Sequence, residues 1–184
     1  MTPHEAGPDI ELVRLSVPAM EALVAGDLAG ASRAAGVALT PYLVEESWLW
    51  RIRLQQIAAD PVHLDWVARA AVDAATGHVV GHVGFHGRPD EAGLVEVAYA
   101  VDPKHRRHGY ATAMLRTALE WAASTPCVRT VRAAVSPDNA ASLATLRPFG
   151  FVRAGEQWDD DDGLELLFEH QVGRGGEDAA HALR

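Results

Sequence analysis

Residues 101–111 read Val101-Asp102-Pro103-Lys104-His105-Arg106-Arg107-His108-Gly109-Tyr110-Ala111. A strand end, a short basic loop, a glycine and a helix start follow one another directly, with Asp102-Pro103 stopping the strand. A helix start offers unpaired backbone N–H groups and a partial positive charge. Gly109 has no Cβ, so the backbone there can approach a ligand closely. Together these predict an anion site suited to a phosphate or pyrophosphate, with Arg106 and Arg107 adding charge. A solvated basic loop with a glycine cap is the plainer alternative. The stretch matches neither the P-loop, since no Gly-Lys-Ser/Thr follows, nor the G-x-G-x-x-G dinucleotide fingerprint.

The flanks of this turn set the fold class. Downstream, a helix runs from Gly109 to Ala123, with Ala111, Leu115, Ala118, Leu119 and Ala122 forming an apolar stripe that packs on a sheet. Upstream, Leu94–Val101 reads as a strand, and His63–Val72 and His78–His86 as two more joined through the turn at Asp73–Gly77. Before these come a short strand, Ile10–Leu15, a helix capped by Ser16, a second helix broken near Gly36, and a third from Thr40-Pro41 to Ala58. After them come a strand at Val128–Val135, a short helix capped by Asp138 or Asn139 and ended by Pro148, and a hairpin of Phe151–Trp158 with Leu164–His170. Helices first, then mostly adjacent strands, then one strand–helix–strand unit predict an α+β domain with a mixed sheet covered by helices.

The 184 residues suffice for one domain, which at this size buries roughly 70% of its unfolded surface. The expected organisation is a flexible leader at 1–9, a single domain at 10–172 and a disordered, Gly- and charge-rich tail at 173–184. The net charge of −9 argues against nucleic acid or an anionic membrane as partner. Lys104 is the only lysine, so the basic island is a local exception in an acidic chain. One cysteine, Cys127, allows no intramolecular disulfide. No apolar run approaches the ~20 residues of a membrane helix, and the first nine residues do not form a signal peptide. A cytoplasmic location is the expectation.

Arg106-x-x-Gly109-x-Ala111, preceded by Val101-x-Pro103 and followed by the striped helix, resembles the acetyl-CoA loop of the GNAT superfamily of N-acetyltransferases, Q/R-x-x-G-x-G/A. Glu96–Pro103 resembles the preceding strand of the ribosomal-protein N-terminal acetyltransferase (RimJ/RimL-type) branch. Ser136-Pro137-Asp138-Asn139-Ala140-Ala141-Ser142, with Phe149-Gly150-Phe151, resembles that branch's N-x-x-S helix start and terminal G-F. The likeness covers about residues 62–170. Ala98 replaces the usual glycine, Ala100 an aromatic, and Leu146 the tyrosine that serves many members as general acid.

The resemblance implies a mostly antiparallel mixed sheet, splayed at its centre and flanked by helices. It implies acetyl-CoA as acyl donor, with Tyr99, Ala100 and Val101 contacting the pantetheine through strand backbone. Arg106, Arg107, His108, Gly109, Tyr110, Ala111 and Thr112 hold the pyrophosphate, chiefly by backbone N–H groups. Asn139 and Ser142 lie near the pantetheine and the thioester sulfur. The acceptor is an amine, either a protein N-terminus or a small molecule, acetylated directly in a ternary complex by a monomer or homodimer. A non-catalytic acyl-CoA-binding module is the alternative.

The amine must be neutral to attack. For a lysine-type amine that costs about 4.6 kcal/mol at pH 7, and for an α-amino group about 1.1 kcal/mol. A carboxylate base offsets this cost. Glu96, on the strand face shared with the small Ala98 and Ala100, is the candidate base; a surface glutamate or an arginine partner is the plainer reading. Ser142 is the candidate proton donor to the leaving thiolate, against a plain first-turn serine, and Asn139 is equally readable as an N-cap. His78, His82 and His86 share a strand face, but adjacent pairs lie ~13 Å apart, too far to share a zinc, so no metal is expected. They are expected to face solvent or line a pocket, with His82 or His86 as alternative bases. Cys127 has no sequence feature marking it as a nucleophile. The acidic turn Asp159–Asp162 is either a solvated hairpin tip or a rim attracting a cationic amine, and one of its acids is a further alternative to Glu96 as base. Trp48 and Trp50 lie on the helix that roofs the acceptor site in the family, as core or pocket lining.

Overall fold

The computed structural model describes residues 7–67, 69–160 and 163–172. The predicted leader lies largely, and the predicted tail and Asp161-Asp162 wholly, outside these. Seven strands form one mostly antiparallel sheet in the order β1-β2-β3-β4-β5-β7-β6. Two compact units divide the chain. One holds the residues up to Arg88 together with Val97–Ala118, the other Pro89–Glu96 together with the residues from Leu119 on.

The first unit contains β1 (Ile10–Arg14), α1 (Val17–Val24), α2 (Leu28–Ala35), α3 (Pro41–Glu45), α4 (Ser47–Ala59), β2 (Arg69–Asp73) and β3 (Val79–Phe85). The C-terminal part of β4 (Leu94–Val101) and the start of α5 (Tyr110–Ala123) complete it. Ser16 caps α1, its Oγ accepting from Ala19 N at 3.3 Å, and Pro18 occupies the first turn. Gly36 ends α2 at φ +72°. β3 pairs with β2 and with β4 (Gly81↔Val101 to Phe85↔Val97) and is buried along its whole length. Its two faces are covered differently. α3 and α4 bring Tyr42 and Trp50 against His82, while α5 brings Met114 beside Gly81. A Cβ at Gly81 would sit 2.1 Å from the Ala100 carbonyl oxygen, so the β3–β4 approach requires glycine there. Leu15, Met20, Leu23, Leu43, Trp50, Val80, Val83 and Phe85 form the core.

The second unit contains the first residues of β4, β5 (Thr130–Val135), α6 (Ala140–Leu146), β6 (Val152–Asp159) and β7 (Gly163–Gln171). The parallel β4–β5 ladder comprises Leu94↔Thr130, Val95↔Val131 and Glu96↔Arg132. β7 pairs antiparallel with β5 and β6. Val95, Val131, Ala133, Val135 and Leu146 are buried here. β6 is the edge strand, bulged between Arg153 and Gly155, with Val152 and Trp158 exposed.

Two elements depart from the sequence reading. The strand expected from His63 begins only at Arg69. Pro61–Asp65 instead forms a 3-10 turn, because Asp60 accepts from Val62 N at 3.1 Å and Pro61 starts the turn. The helix expected from Thr40 to Ala58 is two helices broken at Glu46, whose ψ is 24°.

Candidate functional site

The turn after β4 is built by local hydrogen bonds. Asp102, 3% exposed, accepts from Lys104 N at 3.0 Å and donates its own N–H to Val80 O at 2.9 Å. This fixes the turn to β3 and directs the chain outward at Arg106. Arg106 Nε donates to the Val101 carbonyl at 3.3 Å. Arg107 adopts φ +65° and Gly109 φ +80°, left-handed conformations that bend the backbone just before α5. The first backbone bond of α5 runs from Ala113 N to Gly109 O at 3.1 Å. The N–H groups of Tyr110, Ala111 and Thr112 therefore lie ahead of the helix ladder. Arg106, Arg107, His108 and Gly109 are exposed, and Ala111 and Thr112 are half-buried. A bent loop at a helix start, with N–H groups ahead of the helix ladder and exposed guanidinium groups, suits a phosphate-bearing ligand.

Tyr110 anchors this loop. Its hydroxyl donates to Asp73 Oδ2, and Asp73 Oδ1 accepts from Ala75 N at 2.8 Å and Thr76 N at 3.1 Å. The Tyr110 hydroxyl, followed by these backbone donors, holds the Asp73 carboxyl below the usual carboxylate range. The same bond pushes the Tyr110 hydroxyl up. The rings of His105 and His108 lie 6.0 and 6.4 Å from the Tyr110 ring. The side chain of Tyr110 thus faces the scaffold.

The other expected site residues fall in the two units as follows. In the first, Tyr99, Ala100 and Val101 pair with Val83, His82 and Gly81 and are half-buried, so the structure brings them to the strand end beside the turn at Asp102–Gly109. In the second, Glu96 is half-buried and in register with Arg132, which makes a 2.7 Å ion pair with Glu169. Asn139 caps α6, its Oδ1 accepting from Ser142 N at 3.0 Å, and Ser142 sits half-buried in the first turn. Asn139 thereby takes the capping role weighed for it.

The histidines divide. His78 and His86 are exposed, whereas His82 is 7% exposed under α3 and α4, which corrects its expected solvent-facing or pocket-lining role. Its surroundings were not foreseen. Tyr42 stacks on it at 6.2 Å, Trp50 meets it edge-on at 5.2 Å, and Glu46 Oε2 lies 3.9 Å from its Nε2. Burial, aided by the Arg53 charge, pushes His82 down to about 4, so the ring is neutral at pH 7. Burial also pushes Arg53 down to about 10 and raises Glu46. No sequence spacing distinguishes Glu46 from the neighbouring Glu45; only the helix break turns its carboxylate toward β3. Trp50 is core at 1% exposure and Trp48 is 55% exposed. Cys127 is exposed and unpaired by disulfide. Among the described residues no helix is long and apolar enough to cross a membrane.

A family model described as the Acetyltransferase (GNAT) family matches residues 36–151. The uncharacterized N-acetyltransferase YjdG of Bacillus subtilis (strain 168) is 38% identical over 74 residues, 40% of this chain and 44% of that protein. The chain thus matches less than half the length of that relative. Among solved structures, the aminoglycoside acetyltransferase AAC(6')-Ib in complex with coenzyme A superposes with a TM-score of 0.60 at 15% identity, covering 89% of this chain and 95% of that one. The ribosomal-protein-S5-alanine acetyltransferase of Vibrio fischeri does so with a TM-score of 0.59 at 16% identity, covering 88% and 91%. At these identities the likeness is one of fold.

Proposed function

Since the chain belongs to the GNAT acetyltransferase family, we propose that it is an acetyl-CoA-dependent N-acetyltransferase acting on primary amines by direct transfer in a ternary complex. The observation that carries this reading is the turn at Arg106–Thr112, with its left-handed Arg107 and Gly109 and the N–H groups of residues 110–112 ahead of the α5 ladder. These residues fit a pyrophosphate. The backbone N–H groups from Arg106 to Thr112 bind it, and the Arg106 and Arg107 side chains add charge. Acetyl-CoA supplies the acyl group as an activated thioester.

The chain's own residues then do the following. The backbone of Tyr99, Ala100 and Val101 orients the pantetheine arm, and Asn139 flanks it. Glu96 accepts the proton of the attacking amine, directly or through a water. Ser142 Oγ donates a proton toward the departing sulfur. The acceptor is an α-amino group of a protein, as the likeness to the RimJ/RimL-type branch suggests, or a small amine. A single domain spanning 10–172 working in the cytoplasm, as a monomer or homodimer, completes the proposal.

The test is coenzyme A release with a panel of amines, paired with a thermal shift by acetyl-CoA. Amine-dependent release with a rise in Tm is expected. Tight coenzyme binding without amine-dependent release identifies a non-catalytic acyl-CoA-binding module instead. No Tm rise at saturating acetyl-CoA overturns the cofactor assignment.

A further inference from the structure

β6 is an outer strand of the sheet, and its side chains stand exposed along almost its whole length. Trp158, 75% exposed, and Val152, 69% exposed, are the two most exposed large apolar side chains among the described residues. An edge strand is a template for pairing with another chain, and proteins commonly guard it with lysine or proline. β6, Val152-Arg153-Ala154-Gly155-Glu156-Gln157-Trp158-Asp159, carries neither.

The bulge between Arg153 and Gly155 decides which of its side chains share a face. In a regular strand, residues three apart point to opposite faces. Here Arg153 stands opposite Phe168 and Glu156 opposite Leu166, two residues apart on β7. Both therefore lie on one face, where they make a 2.9 Å ion pair. Trp158, opposite Leu164, shares that face. So does Phe151, whose ring lies 5.4 Å from that of His170. Val152 and Gln157, opposite Glu169 and Glu165, lie on the other face.

We propose that β6 pairs antiparallel with β6 of a second copy of this chain, about a two-fold axis between Ala154 and Gly155. In that register Arg153 meets Glu156 of the other copy, Val152 meets Gln157, and Phe151 meets Trp158. The two-fold repeats each contact, and the bulge lets the two members of every pair share a face. The ion pair within one chain is exposed and contributes little, so exchanging it between copies costs little while it fixes the register. Trp158 and Phe151 supply the apolar burial. The antiparallel sense also sets the two acidic hairpin tips, each with Asp159 and Asp160, at opposite ends of the ladder. Eight strand residues a side are fewer than the ~20–30 of a standard interface, so the association is reversible.

The experiment is analytical ultracentrifugation of the full chain over a range of concentrations, without acetyl-CoA or amine, so its outcome is independent of the acetyltransferase reading. A reversible monomer–dimer equilibrium is expected. Arg153→Glu and Glu156→Arg each set like charges against one another twice, and each is expected to weaken the dimer at least about 10-fold. Mixed together, the two variants restore both opposite-charge contacts, and a dimer of one copy of each is expected at wild-type strength. Trp158→Lys is expected to weaken the dimer without changing the circular dichroism. A wild-type chain that stays monomeric at every concentration overturns the proposal and leaves the edge to a strand from another protein. A dimer that Arg153→Glu and Trp158→Lys leave intact places the interface elsewhere and overturns it too, as does a mixture of the two charge variants that remains monomeric.

Discussion

Tyr110 donates its hydroxyl to Asp73 across 37 residues of sequence, and that bond ties the turn after β4 to the β2–β3 turn. Removing it frees the start of α5 without touching the backbone N–H groups proposed to meet the pyrophosphate. Tyr110→Phe is therefore expected to raise the KM for acetyl-CoA several-fold and leave the KM for the amine near wild type, measured by initial rates with each substrate varied. Glu96 belongs to the same scale. Glu96→Gln removes the proposed proton acceptor, so kcat falls and the pH–rate profile moves to higher pH, where more amine is already neutral. Acetyl-CoA affinity, read by calorimetry, stays unchanged. An unmoved profile removes Glu96 as base.

At the scale of elements, the turn from Val101 to Ala111 was legible because its chemistry is local. Asp102-Pro103 stops β4, and Gly109 takes a conformation that strains other residues, so sequence and structure agree at Leu94–Val101 and at the start of α5. The approach to Gly109 is the weak point of that turn. Gly109→Trp puts a large side chain at φ +80°, where the Pro8 ring already stands 3.4 Å from a Cβ. Loss of acetyl-CoA binding is expected in calorimetry, with far-UV circular dichroism unchanged; retained binding shows that the phosphate lies elsewhere. The two misplaced boundaries have physical reasons of a different kind. Asp60 and Pro61 start a tight turn that competes with the alternating pattern from His63, and local side-chain bonding prevailed. The break at Glu46 leaves no mark in helical spacing, since residues 40–58 keep their apolar positions on both sides of it. The buried His82 was equally hidden, because alternation assigns it a strand face but does not say what covers that face.

At the scale of the molecule, the layer of α3 and α4 over β3 holds much of the buried core of the first unit. Trp50 is 1% exposed and donates its indole N–H to the Leu43 carbonyl. Trp50→Ala is expected to cost about 3–5 kcal/mol in urea unfolding. The same layer makes the fold sensitive to acid. His82 is held near 4 when folded and returns toward 6.5 when unfolded, so its contribution is complete above pH ~6.5 and is lost as pH falls toward 4. The shift corresponds to about 3 kcal/mol. A falling Tm between pH 6.5 and 4 is expected, and a His82→Gln variant lacks that part of the slope.

Lys104 stands exposed on the turn after β4, its backbone N–H held by Asp102, and the sequence has no other side-chain amine. An amine-directed reagent thus has one side chain to modify. A fluorophore or isotopic tag installed there reports on the loop without any change to the sequence. For an acetyltransferase of the proposed kind, the same scarcity limits lysine self-acetylation to that one position.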